Sequence, residues 1–419
     1  MGEQLHKKFV DEEVKSLLEK YLNNQIQLEY LLQILGIKRS RFFKLLNDYK
    51  SDPAGFSIQY RRKSCRRISR GLERHIIKEL EKDKKMIENK DIPIRFFNYS
   101  YTRDRIFKKY QEEVSVPTII SIAKQNDCYI PKPKRKAHDR EVLTNHIGEL
   151  IQHDSSHHLF APFAENKWYL ITSIDDYSRY LLYAALFTRE TSWAHIMALQ
   201  SVFLKYGLPL RYYADNHSIF RFVQGRDSIW RDHHKLTDDA MPQWKQVLYD
   251  CNVDITYALS PQAKGKVERP YHWMQDRIVR TCVDENITTM ESAQEVLNYE
   301  AHRYNYIQKH STTLEIPAVR FENAINQNKT LFRKFTIKPP YLSPKDIFCL
   351  REERIVDAYR KISIDNLQLK IHNAPIGEKL QLRIYPNISK GLAEIRCWYD
   401  GKLLDTINAK LSDLKSVHF

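Results

Sequence analysis

The chain has 419 residues, more than a single hydrophobic core usually supports, so three or four domains are expected. Hydrophobic residues make up 42%, and no stretch approaches the roughly 20 unbroken apolar residues of a membrane span, which excludes a helical membrane protein. The net charge of +15 favours a polyanionic partner. Basicity alone fits a ribosomal or RNA-binding protein as well as a DNA-binding one.

The cysteines and the first residues indicate a cytoplasmic setting. All six cysteines are single, without a CxxC pair or zinc-like spacing, so we interpret them as reduced structural residues. Residues 1–10 are charged and lack the apolar segment of a secretory signal. We expect a cytoplasmic protein.

Residues 1–50 are predicted to form a helix-turn-helix DNA-binding domain. Their apolar residues follow helical spacing in three groups: Val10, Val14, Leu17, Leu18 and Tyr21; Leu28, Leu31, Leu32 and Leu35; and Phe42, Phe43, Leu45, Leu46 and Tyr49. Gly36 separates the last two groups, and Arg39, Arg41 and Lys44 face outward from the third. A plain three-helix bundle with a solvated basic face is the alternative.

Two basic linkers flank a second helical region. Residues 51–70 are predicted to be a basic linker that tracks DNA phosphates or enters a minor groove, with a solvated linker as the alternative; its cations are Arg61, Arg62, Arg66 and Arg67. Residues 71–130 are predicted as a second helix-turn-helix-like DNA-binding domain, in which Ser115 caps a helix. Residues 131–147 form a stiff linker that carries Lys134 and Arg135.

The remainder is predicted to be α/β and then β-rich. Short β-like runs at 150–153, 168–174, 180–188, 211–214 and 254–257, with a helix around 193–204, give the element order of an RNase H-like domain. This catalytic core spans 148–325. Alternating apolar residues and the Asp400-Gly401 turn predict a small β-barrel or β-sandwich over 340–419. The predicted fold class is therefore multidomain, with α and α/β parts.

Three acidic residues stand where this α/β pattern would bring them together. Asp154 and Asp215 end predicted strands, and Glu268 lies just inside a long predicted helix. Carboxylate oxygens are the ligands that Mg²⁺ prefers, and two such ions can support phosphodiester chemistry. An acidic residue at a strand end is usually a solvated turn residue, so each carries little weight alone.

The faces of the predicted helix add weight to Glu268. One stripe is apolar and suited to packing on a sheet: Val267, Tyr271, Met274, Ile278 and Cys282. The neighbouring stripe holds Glu268, His272 and Gln275, which could lie along DNA. Phosphate-binding charge is predicted from the surrounding cations Lys264, Lys266, Arg269, Arg277 and Arg280.

Five stretches in this order resemble insertion-sequence DDE transposases with a retroviral-integrase-like core, most nearly the ISNCY-like group. They are QHDSS at 152–156, SIDDYSR at 173–179, YADNHSIF at 213–220, SPQAKGKVE at 260–268, and YN at 304–305 followed by His310, Ser311 and Pro317. They cover about residues 148–322, and SPQAKGKVE is the most specific of them.

The resemblance implies that Asp154, Asp215 and Glu268 bind two Mg²⁺ ions, for which Mn²⁺ is expected to substitute. It also implies that Gln262 and Lys264 grip the DNA end. Asp175 or Asp176 could be a fourth ligand, although a structural role is favoured, and His153, His157, His158 and His217 are interpreted as neighbours of the triad. The implied partners are double-stranded transposon ends and target DNA, with the protein a homo-oligomer on DNA and no membrane partner.

The interval from Asp215 to Glu268, 53 residues, is longer than in retroviral integrases and predicts an insertion at about 221–241.

The implied activity is cleavage that exposes 3′-hydroxyl ends, followed by their transfer into target DNA. Two rivals remain: a domesticated or inactive DNA-binding regulator, and an RNase H-like nuclease that cuts without joining.

Overall fold

The computed structural model describes residues 5–59, 68–131, 144–164, 166–214, 242–257, 268–365 and 367–414, without the side chains of 268–270. The chain divides into two compact units, Met1–Arg74 and His75–Phe419. Each unit is described by itself below. No helix in the described ranges is long and apolar enough to cross a membrane.

The described residues of the first unit are built mainly from α1 (Asp11–Leu22), α2 (Leu28–Leu35) and α3 (Arg39–Ser51), after a short 3-10 helix at Leu5–Lys7. Leu18, Leu31 and Phe42 are fully buried where the helices meet. Gly36 ends α2 in the left-handed conformation, with φ of 62°, which glycine adopts without steric cost. The predicted helices are confirmed, except that Val10 is exposed because it precedes α1 as its N-cap residue.

Three further helices follow: α4 (Arg70–Glu88), α5 (Tyr99–Tyr110) and α6 (Val116–Gln125). The predicted cap of α6 is confirmed, because the Ser115 side chain accepts a hydrogen bond from the amide of Thr118. Ile119 and Ala123 of α6 are buried. Lys124 and Gln125 are exposed on the outer face of α6.

A five-stranded mixed sheet forms the centre of the second unit. Its strands in the described chain are β1 (Leu150–His158), β2 (Trp168–Asp175), β3 (Leu181–Phe187), β4 (Arg211–Ala214) and β5 (Asp254–Tyr257). The order across the sheet is β3-β2-β1-β4-β5. Strands β1 to β3 are antiparallel, while β4 is parallel to β1 and β5 to β4. This order and these directions are those of an RNase H-like core, as predicted.

Helices cover both faces of this sheet. They are α7 (Ser192–Lys205), α8 (Gln243–Asp250), α9 (Glu268–Asp284), α10 (Met290–Tyr306) and α11 (Pro317–Asn326). On one face Ile151 and Tyr212 pack with Trp193 of α7 and Trp244 of α8. On the other face Leu170 and Ile174 pack with Met274, Ile278 and other residues of α9 and α10. Residues on alternate positions of β1 and β2 therefore belong to different layers.

The C-terminal part is β-rich, as predicted. After α12 (Pro344–Ile347) the strands are β6 (Leu350–Ile355), β7 (Lys361–Ile364), β8 (Leu367–Lys370), β9 (Lys379–Asn387), β10 (Leu392–Tyr399) and β11 (Lys402–Lys410). In the described residues they form an antiparallel sheet in the order β11-β10-β9-β6 and a separate β7-β8 hairpin. The predicted turn at Asp400 and Gly401 joins β10 to β11 with positive φ at both residues, 45° and 68°.

Candidate active site

Asp154 lies in the central strand, on the side of the sheet that α9 covers. It is half-buried and pairs with Thr172 of β2. Its Oδ1 accepts a hydrogen bond from the backbone amide of Ser155 at 3.0 Å. The prediction that Asp154 ends its strand is wrong, because pairing with β2 continues to His158. The apolar residues of the strand end at Ile151, but its pairing with β2 continues past Asp154.

The first turns of α9 lie directly over this point of the sheet. α9 begins at Glu268, and one turn later the hydroxyl of Tyr271 is 2.6 Å from Thr172 Oγ1, the partner of Asp154 in the sheet. A second contact follows one turn further on, where Gln275 Nε2 donates to Ser156 Oγ at 2.5 Å. The described residues of the predicted apolar stripe are confirmed as buried: Tyr271, Met274, Ile278 and Cys282.

β4 reaches the same region from the other side of β1. Tyr213 pairs with Gln152 in parallel register, and β4 ends at Ala214. Asp215 follows directly in the sequence but lies outside the described residues, as does the side chain of Glu268. The structure therefore brings Asp154 and the start of α9 together, and leaves the other two carboxylates undescribed.

The structure describes only some of the residues that are predicted to contact DNA. Arg39, Arg41 and Lys44 are exposed on α3, and the guanidinium of Arg39 lies 5.7 Å from the ring centre of Phe43. His272 is exposed on α9, while Gln275 is half-buried. The remaining predicted contacts, together with the insertion at 221–241, lie outside the described residues or side chains: Arg61, Arg62, Arg66, Arg67, Lys134, Arg135, Gln262, Lys264, Lys266 and Arg269.

Arg277 and Arg280 do not supply phosphate-binding charge, which corrects the prediction made for them. Both are almost fully buried. Arg277 pairs with Glu300 of α10 at 2.6 Å and with Asp104 of α5 at 2.9 Å. Arg280 pairs with Asp83 of α4 at 3.3 Å. These cations hold α4, α5 and α10 to the helix that begins at Glu268.

Asp175 and Asp176 have structural roles, as favoured from the sequence. Asp175 is fully buried and accepts hydrogen bonds from the amides of Gly148 and Ser178 and from the Ser178 hydroxyl. Burial raises the pKa of Asp175 to about 6 despite these donors. Asp176 accepts from Gln152 and from Thr144, and it pairs with Arg179 at 3.0 Å. Both carboxylates are thus committed to holding the turn between β2 and β3.

Replacing Asp175 by Asn should lower the free energy of unfolding by roughly 1–3 kcal/mol at neutral pH. An amide group presents one oxygen in place of two, so at least one of the three donors faces an NH₂ group. Urea denaturation measures the change. Asp254→Asn, at an exposed position at the start of β5, is the matched control and should leave stability unchanged. Equal stability of the two variants would refute the structural role of Asp175.

The histidines near Asp154 are in different surroundings. His153 is buried, and desolvation together with the nearby His195 holds its pKa well below the usual value. His157 is exposed and stacks on Tyr169 with 4.2 Å between ring centres. Burial and neighbouring positive charge lower the pKa of His158. His217 lies outside the described residues.

Sequence reasoning missed Glu190 and His195, which contact the neighbours of Asp154. His195 Nδ1 is 2.9 Å from His153 Nε2, and Glu190 accepts a hydrogen bond from the Ser155 hydroxyl. Neither residue belongs to a recognisable motif.

The carboxylate at this point of the sheet is a suitable ligand for a hard divalent cation. Asp154 offers carboxylate oxygens on a half-buried strand beside the start of α9, and such oxygens suit Mg²⁺ and Mn²⁺. In the ranges that the structure describes, no three His, Cys, Asp or Glu side chains form a metal-binding group. Two of the three side chains of the predicted triad lie outside those ranges.

Comparison with known proteins shows similarity to transposases. No family model matches the chain. It is 26% identical over 272 residues to y4bF of Sinorhizobium fredii, a provisionally assigned transposase, covering 65% of this chain and 53% of that protein. It is 27% identical over 229 residues to the transposase for insertion sequence IS1202 of Streptococcus pneumoniae, covering 54% and 46%. The chain thus spans about half the length of these curated relatives.

Among solved structures, the catalytic core domain of BIV integrase matches 43% of this chain and 98% of its own, at 16% identity and a TM-score of 0.31. The RNase H-like assignment rests on the strand order and directions of the sheet.

Proposed function

We propose that this protein is a DDE transposase, in which Asp154, Asp215 and Glu268 bind two divalent metal ions. The observation that carries the proposal is the placement of α9. Tyr271, three residues after Glu268, contacts Thr172, the sheet partner of Asp154. Asp215 follows β4, whose last residues run parallel to β1. Two similar transposases, at 26% and 27% identity, support the same assignment.

The chemistry proposed is cleavage at the element ends and transfer of the exposed 3′-hydroxyls into target DNA. Mg²⁺, or Mn²⁺ in its place, would activate the attacking oxygen and stabilise the leaving oxygen when bound by the three carboxylates. The protein holds Asp154 on a strand and Glu268 at the start of a packed helix, so the ligands come from rigid elements. His272, exposed one turn after Glu268, would face the DNA end.

We further propose that residues 1–50 bind the terminal repeats and that 51–70, 71–130 and 131–147 add phosphate contacts. Gln262 and Lys264 would grip the DNA end beside the metals. The five ordered motifs support placement in the ISNCY-like group. The full domain plan, with a catalytic core over 148–325 and a C-terminal domain over 340–419, belongs to the same proposal, as does assembly into a homo-oligomer on paired ends.

The DNA-binding role of α3 predicts a specific salt dependence. Replacing Arg39, Arg41 and Lys44 together by Ala should reduce the slope of log affinity against log salt by about 1 for each phosphate that is no longer neutralised. All three side chains are exposed on one helix. Fluorescence anisotropy with a terminal-repeat duplex, over a series of salt concentrations, measures the slope. Lys20→Ala, exposed on α1, is the control, and an unchanged slope in the triple variant would contradict the assignment.

Incubating the protein with labelled element ends, Mg²⁺ and a target plasmid tests the function and separates the rivals. Joined products are the expected result. Cleavage without joining would indicate an RNase H-like nuclease, and retarded but uncut DNA would indicate a regulator. Inverted repeats that bracket the reading frame in the flanking DNA would supply the substrate sequence for this assay.

A further inference from the structure

A chain of buried hydrogen bonds lies behind Asp154, on the opposite face of its strand. Asp154 belongs to the α9 face, so its neighbours His153 and Ser155 point towards α7 and α8. His153 Nδ1 is 2.9 Å from Ser173 Oγ on β2, and His153 Nε2 is 2.9 Å from His195 Nδ1 on α7. The ring of His153 also stacks on Trp244 of α8.

Glu190 closes this chain beside Asp154. Its Oε1 is 3.2 Å from His195 Nε2 and accepts a hydrogen bond from the hydroxyl of Ser155. The amide of Ser155 in turn donates to Asp154 Oδ1 at 3.0 Å. The Glu190 carboxylate is therefore linked through one residue to the carboxylate of Asp154.

The direction of each bond follows from the Glu190 carboxylate, which can only accept when ionised. His195 donates to it from Nε2 and, with both rings neutral, Nδ1 of His195 accepts from Nε2 of His153. Both rings are neutral in this arrangement, and each of these hydrogen bonds joins a donor to an acceptor.

Burying such a network costs free energy, because its polar groups lose their hydrogen bonds to water. The cost is offset only when every group is hydrogen-bonded within the protein. His153 and His195 are almost fully buried, and the Glu190 side chain is 13% exposed. Apolar residues could fill this layer, as they do around Ile151 and Tyr212. Unlike apolar packing, the polar network reaches Ser155, whose backbone amide donates a hydrogen bond to the Asp154 carboxylate.

We propose that Glu190 is a positioning residue, which acts through Ser155 and the His195–His153 pair to hold Asp154 in its metal-binding orientation. This inference rests on the proposed function, because it assumes that Asp154 binds the metal. Outer residues of this kind typically change metal affinity by 10–100-fold when they are replaced.

The test is Mn²⁺ binding to the full chain, measured by the loss of the free-ion signal in electron paramagnetic resonance. Glu190→Gln should weaken Mn²⁺ binding about 10-fold while the unfolding temperature stays near that of the wild type. The joining activity of Glu190→Gln should recover when the Mn²⁺ concentration is raised by the same factor. A merely destabilised protein would not recover in this way.

Glu149→Gln is the matched control. Glu149 precedes β1 at its other end and accepts hydrogen bonds from the amides of Asn145 and His146, so the same chemical change falls far from Asp154 along the strand. Its Mn²⁺ affinity should equal that of the wild type. If Glu190→Gln does not fold, Ser155→Ala removes the same link and should show the same loss.

The outcomes separate this inference from the proposed function. Wild-type Mn²⁺ affinity in a folded Glu190→Gln or Ser155→Ala, with binding lost in Asp154→Asn, would overturn the positioning role alone. Wild-type affinity in Asp154→Asn would overturn the metal site itself, and the positioning role with it.

Discussion

Asp154→Asn is expected to reduce strand joining by about 1000-fold or more, equivalent to ~4 kcal/mol of transition-state stabilisation. The substitution keeps the shape of the side chain but removes its charge, and a neutral amide binds Mg²⁺ poorly. Asp215→Asn and Glu268→Gln should have effects of the same size, because the three groups act as one unit. Quantifying joined products with labelled ends at saturating Mg²⁺ measures the loss.

The stability of these variants shows whether the loss is chemical. Asp154 is only half-buried, so the free energy of unfolding of Asp154→Asn should stay within about 1 kcal/mol of the wild type. Asp254→Asn, exposed on β5, should keep full joining activity. Full activity in a folded Asp215→Asn would show that the proposed active site is wrong.

Arg280→Ala is expected to lower the free energy of unfolding of the second unit by about 3–5 kcal/mol. Arg280 of α9 is fully buried, where it pairs with Asp83 of α4 and with Asp276 one turn earlier in α9, and it also donates to the carbonyl of Phe96. Removing its guanidinium leaves the carboxylate of Asp83, which is also fully buried, without one of its cations. Urea denaturation followed by circular dichroism measures the loss.

Lys108→Ala is the control for Arg280. Lys108 of α5 pairs with Glu285, the residue that follows α9, but both side chains are well exposed, at 69% and 48%. Its removal should cost at most about 1 kcal/mol. If Arg280→Ala were no more destabilising than Lys108→Ala, the buried ion pairs would not be what holds α4 and α5 to α9.

The positions of several strands and helices could be predicted from local sequence patterns. The bounds of β4 and β5 agree with the predicted β-like runs at 211–214 and 254–257, and the apolar stripe of α9 packs on the sheet. The extension of β1 to His158 could not be predicted in this way. Residues 155–158 are polar, and only their pairing with β2 keeps them in the strand.

Part of the candidate active site could also be predicted from local patterns. Asp154 and the helix of Glu268 were identified from motifs and helix faces, and the structure brings them together through Thr172 and Tyr271. Arg277 and Arg280 were misassigned because their acidic partners, such as Asp83 and Asp104, come from more than 150 residues earlier in the chain. Helical spacing alone does not distinguish a solvated arginine from one buried in an ion pair.

Anomalous diffraction from crystals grown with Mn²⁺ tests the central claim most directly. The proposed site predicts two anomalous peaks about 3.5–4 Å apart, bound by the carboxylates of Asp154, Asp215 and Glu268. Mn²⁺ peaks away from Asp154, or a site formed without Asp215 and Glu268, would contradict it.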